Sequence, residues 1–487
     1  MDQEHKFTAN TYKKISECPA SVGLSGKNKA KPYLDRWVLL NEVIGDWLYN
    51  DATSEEASID KAQKIYSEDS DLIQKNILND LFKAFREIFP KTENLRMSRN
   101  YPPIPRSEIK DLGDGDHITL SSWVQYEVEY KDSDRKETIK LRTANSDPLS
   151  QLDLAILSLQ KDEDETYLEI NATKGTVEEL PVLENASEIV EEAFLNIQEY
   201  LKGDKNKTVP GTWCSRCDRS SLCGRYQEID QKKINVKDRS FFISKTDLLK
   251  LNTCNRQFAW KTLYGLPKQI EEDSEYSNYG EKFHTYAEKI INEFQEPMSE
   301  FGIEKFSQAI SEEEEEIREK LLIAYSTLVE NMSSYENVEL KQTEFALGFS
   351  ILIDDPINPG SNVVFTYMGM ADIVGRIGDN TPVVVELKTG KERDDHKYEA
   401  DLYALGASIA TKEEKVIVLH VYMQKDSSKI VERVYEGKEL SKAKEFFITK
   451  SLEISSWNPN QTLNPNYKAG SWCEYCSYET ICLENRN

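Results

Sequence analysis

Hydrophobic spacing changes period several times along the chain, and each change marks an element. In the C-terminal half, residues 244–263 carry a helical pattern opened by Ser244 or Thr246 as cap, so one helix is expected from Ser244 to Leu263. Residues 280–294 (GEKFHTYAEKIINEF) set Phe283, Ala287 and Ile290 on an apolar side. Gly280, His284 and Glu288 recur four residues apart on another face. An acidic helical region continues to about Tyr335, and strands are expected from Glu344 to Ile353. A hairpin follows. Asp372 opens a strand-like segment ending at Ile377, Gly378-Asp379-Asn380 supplies the turn, and Val383-Val384-Val385 leads into Glu386-Leu387-Lys388. Lys397–Thr411 reads as a helix, Lys415–Met423 as a buried strand and Glu439–Ile454 as a last helix. This order describes an α/β unit with a mixed central sheet.

The N-terminal half repeats the plan. Residues 118–130 and 138–144 take the hairpin's place, 150–159 the helix, 166–174 the buried strand and Ser187–Leu201 the last helix. The cysteines make the repeat explicit. GTWCSRCDRSSLC (211–223) and GSWCEYCSYETIC (470–482) share Gly-x-Trp-Cys-x-x-Cys, five residues, then Cys. Cys18 and Cys254 occupy matching places early in each half, after short helical patterns. The polar stretch 227–239 has few aliphatic residues and reads as a linker. Two domains are expected, 1–230 and 241–487, joined through 231–240.

Composition narrows the class. At 39% apolar and 30% charged residues the chain is globular, and no apolar run approaches the roughly 20 residues of a membrane span. MDQEHKFTANTYKKISE has no apolar signal core, so a cytoplasmic protein is expected. A net charge of −25 argues against broad electrostatic adhesion to nucleic acid, though not against a local basic groove. Eight cysteines without a signal peptide point to metal rather than disulfides. Zinc favours two close ligand pairs, whereas a distant first cysteine with three late ones suits a 4Fe–4S cluster better.

Side chains alternate along a strand, so Glu386 and Lys388 point the same way and Asp372 approaches them across the hairpin. Two carboxylates brought together repel unless a cation lies between them, and hard oxygen ligands suit Mg2+ or Mn2+. Taken singly, each residue has a plainer reading. Glu386 and Lys388 could form a surface ion pair, His284 could be an ordinary helix histidine and Tyr403 could be core.

Taken in order, however, His284 in Gly-x-x-x-His, Asp372, Glu386-x-Lys388 and the Cys…Cys-x-x-Cys-x5-Cys set resemble the PD-(D/E)XK nuclease superfamily. The similarity is to its RecB-like iron–sulfur branch, which includes CRISPR-associated adaptation nucleases, AddB-type repair nucleases and exonuclease V. The resemblance implies two tandem restriction-endonuclease-like domains, each a mixed sheet flanked by helices and closed by four cysteines. It implies a nuclease that cuts DNA phosphodiester bonds on single strands or ends, in repair, CRISPR adaptation or defence. The alternative is a non-catalytic iron–sulfur DNA-binding or scaffold subunit. His284, Asp372, Glu386 and the Leu387 carbonyl would bind Mg2+ or Mn2+, and Lys388 would position or polarise the attacking water. Cys254, Cys473, Cys476 and Cys482 would hold one 4Fe–4S cluster, and Cys18, Cys214, Cys217 and Cys223 a second, with zinc as the alternative. Tyr403 would be a catalytic residue near the DNA backbone, matching the tyrosine of the family's Gln-x-x-x-Tyr motif, but Glu399 stands where glutamine is expected.

Aligning KLRTA (140–144) with ELKTG (386–390) puts Lys140 at the Glu386 position and Arg142 at the Lys388 position. The Asp372 position falls near Gln125 or Tyr126, and the His284 position near Trp37. The N-terminal half is thus expected to be a degenerate copy, holding phosphate through Lys140 and Arg142 or serving as scaffold. No phosphate-binding Walker pattern occurs, so no motor is expected in this chain, and a separate helicase or integrase is the candidate partner.

Overall fold

The structure is a computed structural model. It describes residues 4–24, 32–49, 72–90, 95–97, 103–113, 115–143, 149–211, 213–214, 217, 219, 222–223, 225–226, 238–262, 266, 275–294, 296–388, 390–424, 427–457, 467–479 and 482. The expected linker lies largely outside these residues, as does Leu263.

The C-terminal half is built on a mixed sheet. Before it come, in the N-terminal half, β1 (Glu4–Thr8), α1 (Ala9–Glu17), α2 (Ala20–Gly23), α3 (Pro32–Tyr49), α4 (Leu72–Ile88) and β2 (Leu95–Met97). These are followed by β3 (Ile104–Gly113), β4 (Asp116–Val124), β5 (Tyr126–Tyr130), β6 (Lys136–Arg142), α5 (Gln151–Leu159), β7 (Glu165–Asn171), β8 (Thr176–Glu179) and α6 (Ala186–Lys202). The second half starts with β9 (Arg239–Ser244), α7 (Lys245–Thr253), α8 (Asn255–Thr262), α9 (Glu275–Glu293), α10 (Glu300–Ala309) and α11 (Glu315–Met332). It continues through β10 (Glu339–Asp354), β11 (Asn362–Ile377), β12 (Thr381–Lys388), α12 (His396–Thr411), β13 (Lys415–Gln424), β14 (Ser427–Glu436) and α13 (Lys438–Ser455).

Strand order is β10-β11-β12-β13-β14, with β9 also paired to β11. The β11–β12 pair is antiparallel and β12–β13 parallel, the latter joined by the crossover helix α12. The β-branched run on β12 explains the layering. Val383, Val385 and Leu387 face α9, α10 and α11, while Val384 belongs to the core on the opposite face with Ala400, Leu402 and Tyr403 of α12. Glu386 therefore shares the α12 face. Gly369 permits the close approach of that helix, because a Cβ there would lie 2.8 Å from the Tyr403 ring.

Several boundaries differ from expectation. The helix read from Ser244 is broken at Cys254, whose backbone is extended (φ −152°, ψ 111°), giving α7 and α8. Arg239–Ser244, assigned in part to the linker, is a strand paired in parallel to Val363–Met368. Residues 427–436, unassigned from spacing, form β14 against β13. The single strand read over 118–130 is interrupted at Gln125, and its two parts join different sheets, β1-β4-β3 and β2-β5-β6-β7-β8. Among the described residues, no helix is long and apolar enough to cross a membrane.

Candidate active site

The hairpin β11–β12 and the helices α7, α9 and α12 meet at one place. Asp372 on β11 is 8% exposed, and its Oδ2 accepts the Leu387 N–H at 2.6 Å. That bond fixes the carboxylate beside the Glu386-Leu387-Lys388 tip. His284 on α9 brings Nδ1 to 3.4 Å from Asp372 Oδ1. Glu344 on β10 completes a group in which one ligand atom each of His284, Glu344 and Asp372 lie within 4.8 Å of one another. Spacing along the sequence did not single out Glu344. Its backbone is left-handed (φ 46°) opposite Asp372, a strained conformation for a side chain other than glycine. No sequence signal announced that kink.

Glu386 is 1% exposed. Its Oε1 accepts from Lys388 Nζ at 2.9 Å and from Lys245 Nζ at 2.6 Å. Lys245, at the first position of α7, was also missed, because nothing in a helix-start pattern marks it as a site residue. Ser244 caps that helix in a reciprocal capping box with Asp247, which fixes where Lys245 starts. Both lysines also reach Glu399, Lys388 at 2.9 Å and Lys245 at 3.1 Å. Glu399 in addition takes a bond from His420 Nε2 at 3.1 Å. The carboxylate at the glutamine position thus takes bonds from two lysines and an imidazole. Burial would raise its pKa, but His420, Lys245 and Lys388 hold it well below the usual range. Tyr403 is fully buried, and its hydroxyl donates to the Met370 carbonyl at 2.5 Å, two residues before Asp372.

The electrostatics call for a cation. Burial first, then the neighbouring Glu386, pushes the Asp372 carboxyl well above its ordinary pKa. Burial lowers His284, so the imidazole is neutral and available as a ligand near neutral pH. Burial opposes the charge of Lys388, yet Glu386 and Glu399 overcome it and raise its pKa, so the ammonium stays protonated. Glu386 Oε2 is buried and has no hydrogen-bond partner among the described residues. The carboxylates of Asp372 and Glu344 and the neutral His284 imidazole are a donor set that fits a hard divalent ion, whereas Glu386 stands outside that 4.8 Å group with its Oε1 held by Lys245 and Lys388.

In the N-terminal half the same hydrogen bond recurs with different chemistry: Gln125 Oε1 accepts the Leu141 N–H at 2.7 Å, as Asp372 accepts that of Leu387. Lys140 is bound to Asp153 at 2.7 Å and to Ser122 at 2.8 Å, and Arg142 reaches Glu169 at 3.3 Å. Both cations expected to hold phosphate face carboxylates of their own half.

All eight cysteines are free thiols. Cys254, Cys473, Cys476 and Cys482 line one cavity with Trp260 and Trp472. Among the described residues no three thiols converge within 4.8 Å. The two frames match in detail. Cys18 and Cys254 each end their helix in extended backbone, and each sulfur accepts a backbone N–H from the late segment, Val209 at 3.3 Å and Lys468 at 3.5 Å. Trp213 and Trp472 donate to the carbonyls of those same two residues.

Residues 243–483 match the sequence model of the PD-(D/E)XK nuclease superfamily, and this part of the chain is a domain of that superfamily. Such domains are metal-dependent nucleases as a class, and the carboxylates, histidine and lysine described above lie within the matched residues. A solved structure described as the crystal structure of SSO0001 is 17% identical over 50% of this chain and 85% of that chain. Its TM-score of 0.25 is too low for the likeness to bear on fold or activity. No curated protein sequence matches the chain.

Proposed function

We propose that the chain is a metal-dependent nuclease that hydrolyses DNA phosphodiester bonds, acting on single strands or ends from the site in its C-terminal half. The observation that carries this reading is the convergence of His284, Asp372 and Glu344 within 4.8 Å, with the buried and unpaired Glu386 Oε2 on the strand next to Asp372. His284, Asp372, Glu386 and the Leu387 carbonyl would hold Mg2+ or Mn2+, with Glu344 as a further ligand. When bound, such an ion neutralises charge building on the phosphate and makes water a stronger nucleophile.

The chain's own residues do the rest. Lys388, kept protonated by Glu386 and Glu399, is a donor rather than a base, so it orients the attacking water or a phosphate oxygen. Lys245 holds Glu386 and Glu399 from the side of α7. Tyr403 ties the β11 backbone to α12 and so fixes Asp372, a positioning role from inside the core.

The N-terminal half is, in this reading, a second copy of the domain that has lost its metal ligands. The shared Gln125–Leu141 and Asp372–Leu387 bonds support it, with the matched cysteine frames. Each frame holds a 4Fe–4S cluster, as in the RecB-like branch. A tetrahedral zinc site would bring sulfurs to about 3.8 Å from one another given its bond lengths. The order of one distant cysteine and three late ones in each half favours the larger cluster over zinc.

The test is purified protein with Mn2+ on single- and double-stranded DNA, beside Lys388→Ala. Cleavage by the wild type and a loss of about 10²–10³ in rate for the variant are expected. Equal cleavage by both, or none by either, overturns the assignment.

A further inference from the structure

The N-terminal half contains a cavity of about 530 Å³ at the place that corresponds to the active site. That volume lies within the roughly 300–1,000 Å³ of ordinary ligand sites. Its walls include Trp37, Trp123, Gln125, Lys140, Asp153 and the first turn of α1. Side by side with the catalytic site, the exchange of residues has one direction. Gln125 makes the bond to Leu141 that Asp372 makes to Leu387, Lys140 aligns with Glu386, and the His284 position falls near Trp37 in the alignment. Each metal-binding acceptor has become a donor or an aromatic ring. The acids that would hold a metal are replaced, while the space remains.

Gln125 is the informative residue. It is 5% exposed, and its carbonyl oxygen must face the Leu141 N–H, which can only donate. Its amide nitrogen is therefore turned away from that bond, and it has no partner among the described residues. An amide donor open to a cavity wall suits the acceptor edge of a nucleobase. Trp123, 43% exposed, and the partly buried Trp37 supply ring faces. The first turn of α1 offers the positive end of a helix to a phosphate. Lys140 adds little net charge, since Asp153 already neutralises it.

We propose that this cavity takes one nucleotide of single-stranded DNA. The base lies against Trp123 and Trp37, its edge meets the Gln125 amide, and the phosphate faces the start of α1. The inference deepens the nuclease reading, on which it rests for the identity of the strand. The N-terminal half grips the substrate through a base pocket instead of through Lys140 and Arg142.

The experiment measures binding of a fluorescein-labelled thymidine oligonucleotide of about 20 nucleotides to the full chain by anisotropy, without divalent metal. Trp123→Ala, Trp123→Phe and Gln125→Glu are compared with wild type after thermal melts show that each is folded. Trp123→Ala should weaken binding about 5- to 150-fold, the range for one lost stacking contact. Trp123→Phe should restore most of the affinity, and Gln125→Glu should weaken binding by replacing a donor with a negative charge. Wild-type affinity in folded Trp123→Ala overturns the proposal, as does absence of wild-type binding or tighter binding of the matching RNA. Because no metal is present, a protein that binds through Trp123 but cuts nothing would retire the nuclease reading alone. A protein that cuts DNA yet binds it equally after Trp123→Ala would retire only the pocket.

Discussion

At the residue scale, the departure at Glu399 is the one that the surroundings explain best. A buried carboxylate near bound phosphate would repel it, yet Glu399 faces Lys245, Lys388 and His420 at 2.9–3.1 Å. Lys245 and Glu399 behave as one exchange: a carboxylate is tolerated in the core because a second lysine reaches it from α7. Glu399→Gln alone leaves two ammonium groups facing only Glu386, and Lys245→Met alone leaves excess negative charge. The double variant removes one charge of each sign. Urea unfolding of the four proteins should therefore give a coupling energy of about 1–3 kcal/mol. Single effects that add to within about 0.5 kcal/mol would show that the pair is incidental. Glu344 makes a separate prediction. As a ligand at the rim of the His284–Asp372 group, its replacement in Glu344→Gln should raise the Mn2+ concentration for half-maximal cleavage about tenfold, with rate at saturating metal affected less. An unchanged metal titration would remove Glu344 from the site.

At the element scale, β9 decides whether the site assembles, since it delivers both Ser244 and Lys245. It is held along β11 and anchored by Arg239, which forms a two-pronged ion pair with Asp355 at 2.6 and 2.8 Å. The same guanidinium donates to the Ser455 carbonyl at the end of α13. Arg239→Ala leaves Asp355 buried without its counter-ion, held only by Asn358 and the Ile357 N–H, so a loss of about 3–5 kcal/mol is expected in urea unfolding. Burial would raise the Asp355 pKa, but Arg239, Asn358 and the Ile357 N–H hold it well below the ordinary value. A depressed folded-state pKa means that its stabilisation is complete above the unfolded value of about 3.9 and lost as pH falls further. Asp355→Asn should accordingly narrow the stability difference between pH 6 and pH 3. An unchanged acid transition would count against the linkage.

This element also shows what sequence spacing could and could not reveal. The hairpin at Asp372–Lys388 was legible because Val383–Val385, the Gly378 turn and the charged tip each obey a local rule, and the turn does adopt φ 55° at Gly378. Cys254 and the cysteine triplet were legible as a repeat. β9 was not, because a short edge segment beginning with charged residues looks like linker until its long-range partner is known. Glu344 and Lys245 were missed for the same reason. Each becomes a site residue through contacts some thirty to 140 positions away in the chain, at Asp372 and Glu386.

At the scale of the whole molecule, two matched frames separate stability from chemistry. A metal cluster on each thiol set would join the first helix of a half to its final loop, closing on the order of 200 residues, where a cross-link restrains the unfolded chain most in theory. In the C-terminal half that closure is next to the main core, since Cys476 and Cys482 pack against it beside the fully buried Tyr478 and Trp260. If both frames hold iron–sulfur clusters, anaerobically purified protein should absorb near roughly 400 nm and carry about eight irons per chain. Cys18→Ser and Cys254→Ser should each lower the iron content by about half and shift a different part of the unfolding transition. Only Cys254→Ser should depress cleavage strongly, because its loss loosens the α7–α8 junction nine residues from Lys245. A colourless protein with two equivalents of zinc would replace the cluster assignment. Equal effects of the two serines on cleavage would mean that the N-terminal frame supports the catalytic half directly, and the Tyr226 contact with Ala346 and Met368 is where that support would pass.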